Sequence, residues 1–192
     1  MKLLHVDSSV LGDQSVSREL TAAIVTRWRA AMPGLEVTVR DLARDPLPHL
    51  SAASLAGEDA LEAARAEAAL REFLDADVVV IGAPMYNFGI PSTLKAWIDR
   101  LAVPGRTFRY TTGGPEGLAG GKRVIVVASA GGQHDGQPSD FVEPYLRHVL
   151  AFFGLHDVEF IRADGVALSP EHRATSIARA LGALPSPEHK AA

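Results

Sequence analysis

Residues 78–88 read Val78-Val79-Val80-Ile81-Gly82-Ala83-Pro84-Met85-Tyr86-Asn87-Phe88. Four consecutive β-branched residues predict a strand covered on both faces, because a half-exposed strand would alternate apolar with polar. The strand, placed over residues 77–83, stops at Gly82-Ala83, with Pro84 as punctuation. Its carboxyl end therefore delivers two aromatic rings with an amide between them. Ligands of open α/β sheets bind outside the carboxyl ends of the strands. Planar apolar surface combined with hydrogen-bonding groups suits a flat heteroaromatic ligand.

Four further segments read as strands: residues 2–7, 36–40, 122–129 and 158–163. The first and fourth strands in chain order, like residues 77–83, are nearly continuous Leu, Val and Ile, as expected for strands covered on both faces. The second alternates, with Val37 and Val39 set against Glu36, Thr38 and Arg40, which suits a sheet edge. Helical patterns separate the strands. One runs through Val16, Leu20, Ala23, Ile24, Trp28 and Ala31. Another repeats Leu94, Trp97, Ile98 and Leu101 at helical spacing. A third passes through Val142, Tyr145, Leu146, Val149 and Phe152 within residues 141–153. The Ala-rich residues 58–74 have high helix propensity. Ser169-Pro170-Glu171 is a helix start, with a capping hydroxyl and then Pro at the first helical position.

Strand and helix thus alternate five times, which predicts a parallel sheet with helices on both faces. With right-handed crossovers and five strands, the doubly wound order 2-1-3-4-5, the flavodoxin-like one, is favoured. Its switch point lies between the first and third strands, so the loops after Asp7 and Ala83 should flank the site. Residues 1–182 form one domain in this reading, and residues 183–192, with Pro185 and Pro187, form a loosely ordered tail. Residues 43–55 are Pro-rich and read as irregular. Residues 102–121, with Thr107-Phe108-Arg109-Tyr110-Thr111 and Gly113-Gly114-Pro115, read as a hairpin insertion.

Composition narrows the class. The 192 residues are 47% hydrophobic and 22% charged, ordinary for a soluble globular domain. A formal net charge of −4 argues against a nucleic-acid partner, which calls for a basic face. The chain has no cysteine, so disulfides, thiolate metal sites and cysteine nucleophiles are excluded. The seven histidines lack metal-ligand spacing, and no metal is expected. The apolar run at Met1–Asp7 is too short for a signal peptide, and no stretch of about 18 apolar residues would span a membrane. A cytoplasmic location without membrane association is expected.

Three loops carry the chemistry. After the first strand comes Ser8-Ser9-Val10-Leu11-Gly12-Asp13-Gln14-Ser15-Val16-Ser17. Hydroxyls gather where a helix begins, and a helix amino terminus presents unpaired N–H groups and a positive dipole end to phosphate. Ser15 or Ser17 equally suits plain N-capping, so this loop alone leaves both roles open. No Gly-x-Gly-x-x-Gly follows the strand, which argues against a Rossmann dinucleotide site. The run Gly117-Leu118-Ala119-Gly120-Gly121-Lys122-Arg123 imitates a P-loop. However, Glu116 stands at its first required glycine, Arg123 at its hydroxyl position, and a strand follows. Ser129-Ala130-Gly131-Gly132 ends the fourth strand, where the glycines permit positive φ and close backbone approach to a ligand. His134 lies in the same loop and is the one candidate for a proton relay. Asp7 ends the first strand, where a receiver domain would place a phosphoacceptor. Such a domain also needs an acidic pair and an Asp after the third strand, and Gly82-Ala83-Pro84 stands there instead.

Taken in order, these motifs resemble the FMN-dependent NADH-azoreductases and related NAD(P)H quinone reductases of the flavodoxin-like superfamily. The resemblance covers nearly the whole chain. It extends to Pro91-x-x-Leu94-Lys95, Gly114-Pro115-Glu116-Gly117-Leu118 and Pro144-Tyr145-Leu146. It implies that Ser9, Ser15, Val16 and Ser17 hold the phosphate of FMN. Met85, Tyr86, Asn87 and Phe88 would line the isoalloxazine and ribityl chain, and Ser129, Ala130, Gly131 and Gly132 the pyrimidine edge. Tyr110 and Phe152 would match aromatic positions near the substrate. Ala130 and Gly89-Ile90-Pro91 depart from the commoner pattern, which bears on substrate preference more than on FMN.

The resemblance further implies a homodimer with active sites at the interface. The implied reaction is a ping-pong, two-electron transfer from NADH or NADPH to a quinone or azo compound. A flavodoxin-type electron carrier without a substrate of its own is the alternative. A cofactor-free interaction module on the same fold is a third reading.

Overall fold

The computed structural model describes residues 1–187. Five strands, β1 (Lys2–Asp7), β2 (Glu36–Asp41), β3 (Val78–Pro84), β6 (Arg123–Ala130) and β7 (Val158–Asp164), form one parallel sheet in the order β2-β1-β3-β6-β7. This is the 2-1-3-4-5 order expected above. A separate antiparallel pair, β4 (Phe108–Thr111) with β5 (Gly114–Gly117), is the insertion. The helices are α1 (Val16–Ala31), α2 (Ala52–Ala56), α3 (Ala60–Asp75), α4 (Ser92–Leu101), α5 (Val142–Phe152) and α6 (Pro170–Gly182). Among the described residues no helix is long and apolar enough to cross a membrane. No group of three or more His, Asp or Glu there could hold a metal ion.

Every residue of β3 is buried, as its unbroken apolar run requires. Period-2 alternation divides it between two cores. Val79 and Ile81 join Phe73, Trp97 and Phe153 on the face covered by α3, α4 and α5. Val78 and Val80 join Leu20, Ile24 and Trp28 under α1 and α6. On the first face Phe73 makes edge-to-face pairs with Trp97 and Phe153, at 6.0 and 6.1 Å between centroids. The second strand sits at the edge, where its polar alternation belongs.

The structure corrects two local expectations. Pro84 belongs to β3, as its last residue, and does not stand outside the strand. Residues 43–55 are not wholly irregular, since α2 begins within them. Its start is a capping box between Ser51 and Ser54, and Gly57 ends it at φ 69°. Near the carboxyl terminus, Arg27 donates to the Leu184 carbonyl, Trp28 Nε1 to Pro185 and Arg123 to Ser186. The rest of the expected tail, residues 188–192, lies outside the described residues, as does His189.

The hairpin is fastened where two backbones cross. Leu118 N donates to Thr107 O, and Ala119 N donates to Phe153 O. Gly117 meets Gly154 so closely that a Cβ on Gly117 would lie 2.0 Å from the Gly154 nitrogen.

Candidate functional site

The carboxyl ends of β1, β3 and β6 open into a cavity of about 290 Å³. The loop after β1 forms one wall through Ser9, Leu11, Gln14, Ser15 and Val16. The loop after β3 contributes Met85 and Tyr86, with Pro84 at its base. Ser129, Ala130 and Gly131 add the end of β6 and its loop, Val166 and Ala167 come from the β7–α6 connection, and Arg173 reaches in from α6. Eight of the residues singled out in the sequence therefore come together: Ser9, Ser15, Val16, Met85, Tyr86, Ser129, Ala130 and Gly131.

The others stand nearby in different roles. Ser17 is fully buried behind the wall, with its hydroxyl 3.1 Å from Ser15 Oγ. Ser15 does cap α1, accepting from Arg18 N at 3.2 Å. Asn87 and Phe88 are exposed and do not line the cavity, Phe88 being 54% exposed. Gly132 sits under the His134 ring, where a Cβ would lie 3.0 Å from Nε2. Tyr110 and Phe152 do not line the cavity. They flank Phe108, at 5.5 and 4.4 Å between ring centroids, and Tyr110 is 76% exposed.

The β1 and β3 loops are locked to each other. Tyr86 Oη lies 3.0 Å from Ser9 Oγ and accepts from Val10 N at 3.2 Å. Ser8 Oγ donates to Gly82 O at 2.6 Å, and Met85 N to Ser129 O at 2.7 Å. Beyond Met85 the chain turns at once, with reciprocal backbone bonds between Tyr86 and Gly89. The two residues between them, Asn87 and Phe88, have φ of 49° and 69°. Asn tolerates this region, but Phe does so rarely, and residues held there cluster at functional sites.

The positive φ expected of the Gly-rich loop is not found at its first two glycines, Gly131 and Gly132. A Cβ would lie 3.3 Å from Ala167 Cβ at Gly131 and 3.0 Å from His134 Nε2 at Gly132, tighter than ordinary contact. Asp164 Oδ2 accepts from His134 N and Asp135 N at 2.9 and 2.8 Å. Val166 N and Ala167 N donate to Ala130 O and Gly131 O. Arg162 adds ion pairs to Asp140 and Glu143, both at 2.6 Å. His134 Nδ1 lies 2.8 Å from Ser139 Oγ, and its ring meets Phe88 edge to face at 5.8 Å.

Beneath the Ser-rich loop lies a charge network that pattern reading missed. Arg18 makes a two-pronged bond to Asp41 at 2.6 and 2.7 Å, and donates to Ser9 O from Nε and Nη2. It also lies 3.5 Å from Asp7, whose other oxygen accepts from Thr21 at 2.9 Å. The Arg18 guanidinium holds the Asp41 carboxyl below the usual carboxylate range, and Asp41 in turn raises Arg18. Outside the cavity, Gly89, Ile90, Phe141, Pro144 and Tyr145 surround a mainly apolar hollow of about 550 Å³. Burial, with Asp99 nearby, pushes the Tyr145 phenol up to about 12, so it is protonated at neutral pH.

The model of a family with the flavodoxin-like fold matches residues 1–185. The chain is 62% identical over 188 residues to an FMN-dependent NADH:quinone oxidoreductase of Stenotrophomonas maltophilia (strain K279a), covering 98% of this chain and 96% of that one. It is 61% identical to FMN-dependent NADH:quinone oxidoreductase 1 of Xanthomonas axonopodis pv. citri, covering 98% and 97%. Among solved structures, azoreductase from Bacillus anthracis str. Sterne superposes with a TM-score of 0.87 at 30% identity, covering 95% of each chain.

Proposed function

Because the chain belongs to the flavodoxin-like fold family, we propose that it is an FMN-dependent oxidoreductase that passes electrons from NADH to quinones and azo compounds. The observation that carries this reading is the cavity itself. It joins a hydroxyl-lined helix terminus to an aromatic turn and to a Gly-rich loop at the switch point of the sheet. Full-length relatives bearing the name FMN-dependent NADH:quinone oxidoreductase support it.

The residues present fit FMN. Ser9, Ser15 and the amino terminus of α1 offer hydroxyl and N–H donors to a phosphate, and Ser17 supports Ser15 from behind. Met85, Tyr86, Asn87 and Phe88 would bound the ring and ribityl chain. Ser129, Ala130, Gly131 and Gly132 would meet the pyrimidine edge. Bound FMN would supply two-electron redox chemistry between NADH or NADPH and the acceptor, with the one further proton that a hydroquinone needs drawn from solvent.

The chain's own groups bind, orient and balance charge. Backbone N–H groups around Gly131 and Gly132 would stabilise negative charge at the pyrimidine edge. Tyr86 keeps the phosphate loop in register through Ser9 and Val10. His134 Nε2, which lies beside Gly132, would be the atom to hold or move a proton. Donor and acceptor would use one position in turn, giving ping-pong kinetics. Tyr110, Phe152 and the apolar hollow at Tyr145 suit acceptor binding at the interface of a cytoplasmic homodimer.

A visible spectrum of the purified protein with FMN added should show bound flavin, and NADH oxidation with a quinone should give parallel double-reciprocal lines. A colourless protein that takes up no FMN would sink the reading, and bound flavin without turnover would favour an electron carrier. Asn87→Ala should weaken FMN binding or slow turnover roughly tenfold, with about 1 kcal/mol of lost stability from the left-handed turn. Asn87→Gly relaxes the turn but removes the amide, so equal losses in both variants would assign the effect to the side chain. FMN affinity and rate unchanged in both would refute that role.

A further inference from the structure

We infer that Arg173 is the counter-charge for the FMN phosphate and makes the site select the phosphorylated flavin over riboflavin. This rests on the FMN reading above and adds to it a residue outside the three loops. Arg173 lies in the first turn and a half of α6, whose start is fixed by Ser169 and Pro170. From there the side chain reaches the cavity, beside Gln14, Ser15 and Val16. Its Nη2 donates to Gln14 O at 3.1 Å, which ties α6 to the loop 159 positions earlier.

The charge balance of the cavity points to this residue. Arg173 is the only ionisable cation among the lining residues, and no carboxylate lines the cavity either. A phosphate monoester carries a charge of about −1.5 to −2. The α1 terminus supplies the equivalent of about half a positive charge, and the hydroxyls are neutral. Arg18, the nearest cation by sequence, is committed to Asp41, Asp7 and Ser9 O and does not line the cavity. Arg173 has no carboxylate partner among the described residues, and its one hydrogen bond is to a neutral carbonyl. A planar guanidinium held in that way keeps further donors free for phosphate oxygens.

The test titrates protein stripped of flavin with FMN and with riboflavin, read by quenching of flavin fluorescence, for wild type, Arg173→Ala and Arg173→Lys. Arg173→Ala should bind FMN roughly ten- to a hundredfold more weakly, with riboflavin affinity unchanged. Arg173→Lys should keep part of the preference. FMN binding to wild type should also fall more steeply with salt than binding to Arg173→Ala. Unchanged FMN affinity in Arg173→Ala would overturn the inference. So would equal losses for FMN and riboflavin, which indicate only a structural role at Gln14. Wild-type protein that binds neither flavin would overturn the FMN reading itself, an outcome separable from failure of the variant alone.

Discussion

Replacing Arg18 by methionine should lower unfolding stability by about 3 kcal/mol, the low end of the cost of breaking a buried ion pair, because Arg18 and Asp41 retain some solvent contact. Their side chains are 17% and 18% exposed. Methionine fills much of the volume but leaves Asp7 and Asp41 without their shared cation. Asp7 then keeps only Thr21 and the His5 ring at 3.3 Å. The Ser9 carbonyl loses two donors, so the loop that bounds the cavity loosens with the fold. Denaturant midpoints at constant m-value measure the loss. Adding Asp41→Asn should restore part of it, because the second carboxylate then no longer needs a cation.

The pH dependence has a definite sign. The folded-state pKa of Asp41 is depressed by Arg18, so its contribution is present above the unfolded value of about 3.9 and is lost as pH falls through the folded value. The gap between wild type and Arg18→Met should therefore narrow in strongly acid solution. A gap that stays constant from pH 7 to pH 2 would refute the electrostatic account.

Gly117→Ala should cost about 3 kcal/mol, at the upper end for a single added carbon in a packed position. The new Cβ would fall 2.0 Å from Gly154 N and 2.3 Å from the Phe153 carbonyl carbon, so two backbones must separate. Main-chain atoms cannot swing aside as a side-chain tip can. The hairpin should lift as a unit, breaking Ala119 N to Phe153 O and parting Phe108 from Phe152. The parallel sheet is built without β4 and β5 and should persist. Limited proteolysis within residues 104–121, together with a lower Tm, checks this. Unchanged protection would show that the crossing is not tight.

Much of the fold was written in local pattern. The continuous apolar runs at Val78–Ile81 and Val124–Val127, and the run Leu3–Val6 broken only by His5, have no stable place except the middle of a covered sheet. The alternation at Val37 and Val39 has none except an edge. Ser169-Pro170 located α6 because a cap and a fixed φ are properties of single residues. The five-residue α2 escaped, being too short to show a period even with Ser51 and Gly57 in place.

The site was legible where its parts are loops at strand ends. It was not legible where it depends on partners distant in the chain. Nothing about Phe88 announces a positive φ; the reciprocal bonds of Tyr86 and Gly89 impose it. Nothing near Arg173 points to Gln14, since only the docking of α6 beside α1 brings them together. Tyr86 looked like a ring for stacking, yet its hydroxyl is what fastens Ser9.

The two tryptophans give each half of the molecule its own optical probe. Trp28 lies on the α1–α6 side of the sheet, under the Arg123 guanidinium at 5.1 Å and bonded to Pro185 O. Trp97 lies on the opposite side, against Phe73. Emission from Trp28 alone, with Trp97 replaced by Phe, would follow detachment of the 184–186 segment. Emission from Trp97 alone would follow melting of the aromatic layer. A single fluorometer trace of the native chain superimposes both events, and a biphasic trace would mean that the two faces come apart in sequence.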